Sequence, residues 1–352
     1  MNAPFRFLVN MIVDDWIARK IGMPDGRNLT RSALEAWQFR KLRETVAYVC
    51  VKSPFYRNHL SVFVKSGNLS SLDCVENLPF TTSDDLTSAG TSMVCVSASE
   101  VGRIVTLPTT GTTGAPKRVW FTEEDQELMT DYIRHGLQVM TGPNDVFLVL
   151  MPCQRPGSVG DLVAIGVQRI GSRPLRVGAI SPDGSRDEEI LDLMRRENVT
   201  TGLATVHTAA RLAKKSKGDA AIKKNMRTIL LSAQYVSDDE KATIEQTWDC
   251  KVYEHYGMTE MGLGGAMACE ARTGYHPREA DLLFEIMDPT TGKTLPDGEY
   301  GEIVFTTLTR RAMPLIRYRT GDFSRWLSGV CACGSVLKRL DKVGDRVERK
   351  AY

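Results

Sequence analysis

Between residues 145 and 256 short apolar runs alternate with longer amphipathic ones, and this repetition narrows the possible folds more than any other feature of the chain. Asp-Val-Phe-Leu-Val-Leu-Met at 145–151 reads as a strand buried on both faces. Helical patterns follow at 161–170, 187–197, 209–215 and 238–247, with strand patterns between them at 175–179, 202–206, 228–231 and 251–256. Apolar strands separated by helices need crossover connections and cover on both faces, so an α/β unit with parallel strands is expected. Upstream, 32–51 carries apolar residues at helical spacing and stops at Ser53-Pro54, a helix start is expected near Ser83, and Thr122 should cap a helix over 123–140. After Glu260 the period changes to two: 282–287 and 301–308 alternate, separated by turn sequences at 288–292 and 296–298. A smaller β subdomain is expected there.

Length and charge exclude several classes. The 352 residues are enough for a large core, and a net charge of +2 gives no general attraction to nucleic acid or membrane. The basic cluster of Lys214, Lys215, Lys217, Lys223, Lys224 and Arg227 reads as a solvated helix face. No apolar run reaches spanning length, and no small-residue cleavage site follows the partly apolar N-terminus, so no signal peptide is expected. Eight unevenly spaced cysteines do not make a disulfide framework; a reducing cytoplasm is the expectation.

The chemistry begins at Thr109, Thr110, Gly111, Thr112, Thr113, Gly114, Ala115, Pro116 and Lys117. Glycines let the backbone approach a phosphate, threonines add hydroxyl donors and the lysine adds a mobile positive charge. The run reads as a phosphate cradle, although a polar hairpin between strands has the same composition. It is not the Walker loop, whose lysine directly follows glycine. Two later segments belong with it, Tyr253-Glu254-His255-Tyr256-Gly257-Met258-Thr259-Glu260 and Pro314-Leu315-Ile316-Arg317-Tyr318-Arg319-Thr320-Gly321-Asp322. In this order the three resemble the motifs of the adenylate-forming superfamily. The stretches 41–57, 78–82 and 301–318 narrow the resemblance to phenylacetate–CoA ligase-like proteins, from about Leu34 onward.

The resemblance implies an α/β fold: the large N-terminal core of an adenylate-forming enzyme, with mixed and parallel sheets flanked by helices and a smaller β subdomain. It implies a mostly helical part over 1–100, a nucleotide-binding part over 101–265, the β subdomain over 266–338 and the start of a hinge over 339–352. It also implies ATP-dependent activation of an aryl or other small organic acid as an acyl-adenylate, with CoA as co-substrate of the complete enzyme. The loop up to Lys117 would hold the β- and γ-phosphates, and Glu260 would hold magnesium. Thr259 would contact the α-phosphate, Tyr256 would pack on adenine beside His255 and Gly257, and Asp322 would accept from the ribose hydroxyls.

The chain departs from the family's pattern at three places. Glu254 stands where relatives carry Asn or Asp against the adenine amino group. Ser232, Ala233 and Gln234 replace the usual glycine, alanine and glutamate of the pocket loop. Arg346 is out of register with the hinge arginine that touches ribose. The lid domain of relatives and its lysine are expected to be missing after Tyr352, which would limit adenylation, because a transition-state cation is worth orders of magnitude in rate.

Cys331-Ala332-Cys333-Gly334 reads as a thiolate knuckle, and with Cys269 and His276 it would make a closed structural zinc site. Free cysteines packed as small hydrophobes are the alternative. The resemblance favours zinc, since phenylacetate–CoA ligase-like proteins show this quartet. Cys50, Cys74, Cys95, Cys153 and Cys250 are expected in the core. The expected partners are ATP and a small carboxylic acid, with no nucleic acid and no membrane; a homodimer and a separate lid or acceptor protein stay open. Two other readings stay open as well: transfer of AMP to a non-carboxylate acceptor such as a deazaflavin hydroxyl, and a lidless protein that binds nucleotide or acyl-adenylate without turnover.

Overall fold

The computed structural model describes residues 12–24, 28–66, 69–107 and 116–344. The chain divides into two units, one built mainly from Met129–Gly257 and Ala266–Tyr275, the other from Asp14–Leu128, Met258–Gly265 and the residues from His276 onward. Among the described residues no helix is long and apolar enough to cross a membrane.

In the second of these units the strands begin with an antiparallel hairpin, β1 (Arg103–Leu107) and β2 (Lys117–Phe121), whose register pairs Leu107 with Lys117. The helices before it start where side chains can satisfy the free N–H groups of a first turn. Thr30 accepts from Ala33 N at 3.2 Å to open the helix Arg31–Lys52. Ser53 ends that helix and caps the next, Pro54–His59, whose proline sits where its missing N–H costs nothing. Thr82 and Asp85 form a reciprocal capping box for Ser83–Ala89, so the helix starts near Ser83 as expected, with Thr82 as its cap.

The first unit is the expected α/β sheet. Its strands are β3 (Val146–Val149), β4 (Arg173–Arg176), β5 (Thr201–Thr205), β6 (Thr228–Ser232), β7 (Lys251–Tyr256) and β8 (Ala266–Ala268), and its last residue, Tyr275, begins β9 (Tyr275–Pro277). The order is β4-β3-β5-β6-β7-β8-β9, parallel from β4 through β7, with β8 antiparallel to β7. Helices Val159–Ile170, Asp187–Arg196, Val206–Lys215 and Asp238–Trp248 connect the strands. Leu148, Ile190, Leu212, Ile229, Ile244, Trp248 and Val252 are buried together in its core.

The expected strand at 175–179 lies earlier, at Arg173–Arg176. Gly178 turns the chain with φ 90° and donates to Val149 O at 3.0 Å, which ends the pairing. Only an edge strand tolerates exposed arginines at both ends, which hid it from a search for apolar runs. Gly160 marks a close approach, since a Cβ there would lie 2.5 Å from Met151 O. The second unit closes with the antiparallel sheet β10 (Leu282–Met287), β11 (Gly301–Thr307) and β12 (Tyr318–Ser324). Cys95, Cys153 and Cys250 are buried as expected, whereas Cys50 and Cys74 are only half-buried. Cys74 lies beside the hydroxyls of Ser70 and Ser71, which hold its thiol down at about 7.

Candidate functional site

Thr259, Glu260 and Met261 form one turn of 3-10 helix, closed by Gly262 N donating to Thr259 O at 2.9 Å. Gly262 and Leu263 both take left-handed backbone, φ 82° and 66°, so the chain reverses sharply after the turn. Glycine takes this conformation freely and leucine does not, a local strain of the kind that collects at functional sites.

Glu260 is buried, with 2 % of its surface exposed. Lys117 Nζ donates to its Oε1 at 2.9 Å, and the Tyr318 hydroxyl donates to the same oxygen at 3.3 Å. Buried charges need a partner of opposite sign, and Lys117 supplies it. Lys117 is the first residue of β2, and its side chain joins the end of the Thr/Gly run to the acid of the later motif. Among the described residues both of these side-chain bonds to Glu260 fall on Oε1. One buried carboxylate oxygen fits magnesium, which takes few protein ligands and keeps water and phosphate for the rest.

Arg310 Nη1 donates to Glu260 O at 2.6 Å, and its guanidinium lies 5.1 Å from the Phe121 ring centroid at the end of β2. Full burial pushes the Arg310 guanidinium down to about 10, and the neighbouring Asp125 carboxylate opposes this. Arg278 Nη2 donates to Met261 O at 2.9 Å. Neither arginine lies within the three motifs, and each sits among other polar or charged residues, Arg278 before Glu279 and Arg310 between Thr309 and Arg311, so nothing in the local sequence marks it. The loop residues Thr109, Thr110, Gly111, Thr112, Thr113 and Gly114 lie outside the described residues, as does Arg346. Asp322 lies in β12 just after Gly321, which has φ 75°; it is half-buried, and its backbone N donates to Thr320 Oγ1 at 3.0 Å.

The remaining nucleotide-motif residues lie in the other unit, at the C-terminal ends of β6 and β7, where ligands of parallel sheets collect. Ser232 ends β6, with its hydroxyl 3.3 Å from His255 Nδ1. Ala233 follows in left-handed backbone, φ 71°, and Gln234 is exposed. Tyr256 is buried and Gly257 half-buried at the end of β7. Glu254 is buried as well: Lys241 Nζ donates to Oε1 at 2.7 Å and the Tyr275 hydroxyl to Oε2 at 2.9 Å. Its carboxylate thus already has two strong donors from the protein. Lys241 and Tyr275 were invisible in the sequence because they lie on other elements, 13 and 21 positions away.

His276, Cys331 and Cys333 are buried in the second unit with their ligand atoms within 4.8 Å of one another. His276 Nε2 is 3.3 Å from Cys333 Sγ, while Nδ1 lies 3.0 Å from Lys338 O. A proton on Nδ1 directed at a carbonyl leaves the Nε2 lone pair facing the sulfurs, the usual orientation of a metal-ligating imidazole. Gly334 N donates to Cys331 O at 2.9 Å and folds the two cysteines into a knuckle. Thiolate and imidazole donors in this arrangement fit zinc. Cys269 belongs to the other unit, in the turn after β8.

Residues 71–308 match the AMP-binding enzyme family. The phenylacetate-coenzyme A ligase of Thermus thermophilus is 28% identical over 331 residues, covering 92% of this chain and 73% of that protein. That of Pseudomonas putida is 29% identical, covering 89% of this chain and 71% of its own. Among solved structures, an open conformation of 2-hydroxyisobutyryl-CoA ligase in complex with 2-HIB-AMP and CoA superposes with a TM-score of 0.80 at 20% identity, over 91% of this chain and 71% of that one. With the acid–lysine pair at Glu260 and Lys117 and the order of the three motifs, these likenesses mean that the chain belongs to the AMP-binding enzyme family, as an ATP-dependent adenylate-forming ligase.

Proposed function

We propose that the chain activates an aryl or other small organic acid, joining its carboxylate to the α-phosphate of ATP with loss of pyrophosphate, as the first half of acid–CoA ligase chemistry. The observation that carries the reading is the buried Glu260, paired at 2.9 Å with Lys117, the residue that ends the threonine–glycine run in the sequence. A carboxylate attacking a triphosphate meets like charge, so a site for this reaction must neutralise it. In this reading Glu260 holds magnesium, which supplies positive charge to the phosphates when bound. Lys117 both balances Glu260 and anchors the end of the phosphate loop, and Thr259 offers a hydroxyl to the α-phosphate. Tyr256 supplies an apolar ring for adenine, beside His255, Gly257 and the loop Ser232, Ala233 and Gln234. Asp322 accepts from the ribose hydroxyls.

The acid named for the curated relatives, phenylacetate, heads the substrates to try, and CoA is the acceptor of the second half-reaction. Zinc on His276, Cys331 and Cys333 would be structural, holding the segment after β12 to the His276 end of β9. ATP–pyrophosphate exchange with magnesium, across a panel of aryl and aliphatic acids and with Glu260→Ala as control, tests the reading. Exchange that depends on one acid and on Glu260 supports it. Exchange undiminished in Glu260→Ala would remove Glu260 from the mechanism.

A further inference from the structure

The turn that presents Glu260 has a weakness that the rest of the chain corrects. So short a 3-10 turn leaves the carbonyls at its C-terminal end without partners of its own. Here those carbonyls belong to Glu260 and Met261, both buried, so water does not serve them and each needs a protein donor. Two guanidiniums meet the need, Arg310 on Glu260 O at 2.6 Å and Arg278 on Met261 O at 2.9 Å. Each is itself held. Asp125 accepts from the backbone N–H groups of Arg311 at 2.8 Å and Ala312 at 2.9 Å, which fixes the segment carrying Arg310. Asp281, 3.7 Å from Arg278 Nε, accepts from Lys20 Nζ at 2.8 Å and Thr309 Oγ1 at 2.6 Å.

We propose that Arg310 and Arg278 are positioning residues that clamp the Glu260 turn by its carbonyls, and so fix where the Glu260 carboxylate points. The proposal rests on the reading of Glu260 given above, and it adds a division of labour. Lys117 and Tyr318 hold the carboxylate from the side-chain end, and the two arginines hold its backbone. Arg310 also spans both halves of the acid–lysine pair, because its guanidinium packs on Phe121 of the strand that starts with Lys117. An arginine suits this task because its charge is permanent and its planar fork loses little freedom per bond formed.

The test compares Arg310→Met, Arg310→Lys and Arg278→Met in the full chain by two readouts. Hydrogen exchange is followed at the amides of Gly262 and Leu263, whose bonds to Thr259 O and Met258 O at 2.9 Å each close the turn. Both Met variants are expected to exchange these amides at least tenfold faster with the remaining peptides unchanged, and Arg310→Lys to fall between. ATP–pyrophosphate exchange is then measured across magnesium concentration. The Met variants are expected to need several times more magnesium and to lose roughly 10²-fold in maximal rate, the scale of an ångström of misplacement. Parent-like amide protection in both Met variants would overturn the clamp, as would a loss of protection spread evenly over the chain in all three. Loosened amides with a parent-like magnesium dependence would leave the clamp standing and instead refute Glu260 as the metal-facing acid.

Discussion

Replacing Arg317 by methionine should be among the most damaging single changes available in this chain. Arg317 is 1 % exposed and makes a two-pronged ion pair with Glu285, Nε to Oε2 at 3.1 Å and Nη2 to Oε1 at 2.9 Å. Its third nitrogen donates to Glu76 O at 2.6 Å and Leu78 O at 2.9 Å, and the guanidinium lies 4.1 Å from the Phe80 ring centroid. Methionine fills much of the same volume and donates nothing. Stripping one partner from a buried pair costs about 3–5 kcal/mol, and each orphaned carbonyl costs about 1–3 kcal/mol. Methionine's own burial returns about 1.5–3 kcal/mol, so the net loss should be about 5 kcal/mol. Urea denaturation followed by tryptophan fluorescence, with Trp326 buried in the same unit, measures it.

Two controls make this prediction specific. In Arg317→Met/Glu285→Met no buried charge remains, so the double variant should recover about 3 kcal/mol of the loss. The second control is pH. Burial raises the Glu285 carboxyl above its usual range even with Arg317 beside it. An acid whose folded pKa is raised contributes stability below its unfolded value, about 4.3, and loses it as pH rises through the folded value. Arg317 is the interaction that lowers the Glu285 pKa, so removing it raises that value further. The deficit of Arg317→Met should therefore be smaller at pH 5 than at pH 8. A deficit that is independent of pH, together with a double variant no better than the single one, would refute the account.

Other outcomes follow from the same geometry. Tyr275→Phe should cost about 1–3 kcal/mol by removing one donor from buried Glu254, and Lys241→Met about 3–5 kcal/mol by removing its counter-charge, both read from urea midpoints. Ala233→Gly should raise stability by about 0.5–1 kcal/mol, because alanine is strained at φ 71°; a lower midpoint would mean that the turn is not strained. The purified chain should carry about one zinc ion, and Cys333→Ser should lose it together with several degrees of Tm, as metal analysis and calorimetry would show. A metal-free parent with an unchanged Tm on chelation would return these cysteines to plain core packing.

The parallel sheet was legible because buried strands and amphipathic helices each carry their own period, and β3, β5, β6 and β7 lie where that period places them. β4 was misplaced because an edge strand bears no such pattern. Lys117, Glu260 and Asp322 could be chosen from their motifs, and the fold brings Lys117 to Glu260 across 143 positions. The partners that complete these residues could not be chosen. Tyr275, Lys241, Arg278 and Arg310 contribute single side chains from distant segments, with no local period and no spacing rule. An arginine bound to a carbonyl has the same sequence signature as an arginine in solvent.

Arg278, Arg310 and Arg317 nevertheless share a physical role that says where such residues should be sought. Each is nearly buried and donates to main-chain carbonyls: Met261, Glu260, and Glu76 with Leu78. None of those carbonyls belongs to a strand, and the segments that carry them are short 3-10 turns and the stretch leading out of one. In a sheet or a long helix the ladder satisfies the carbonyls, and an arginine there would be superfluous. Irregular backbone has no ladder, so burying it requires donors from side chains, and arginine brings the most per residue. A catalytic acid on an irregular turn therefore imposes a cost beyond its own charge, because the backbone that aims it must be held as well. Of the two arginines that hold the Glu260 turn, Arg310 should prove the less replaceable. It bonds the carbonyl of Glu260 itself and packs on the strand of Lys117, whereas Arg278 acts one residue further along. If Arg278→Met loosened the turn more than Arg310→Met, Met261 O rather than Glu260 O would be the point from which the acid is held.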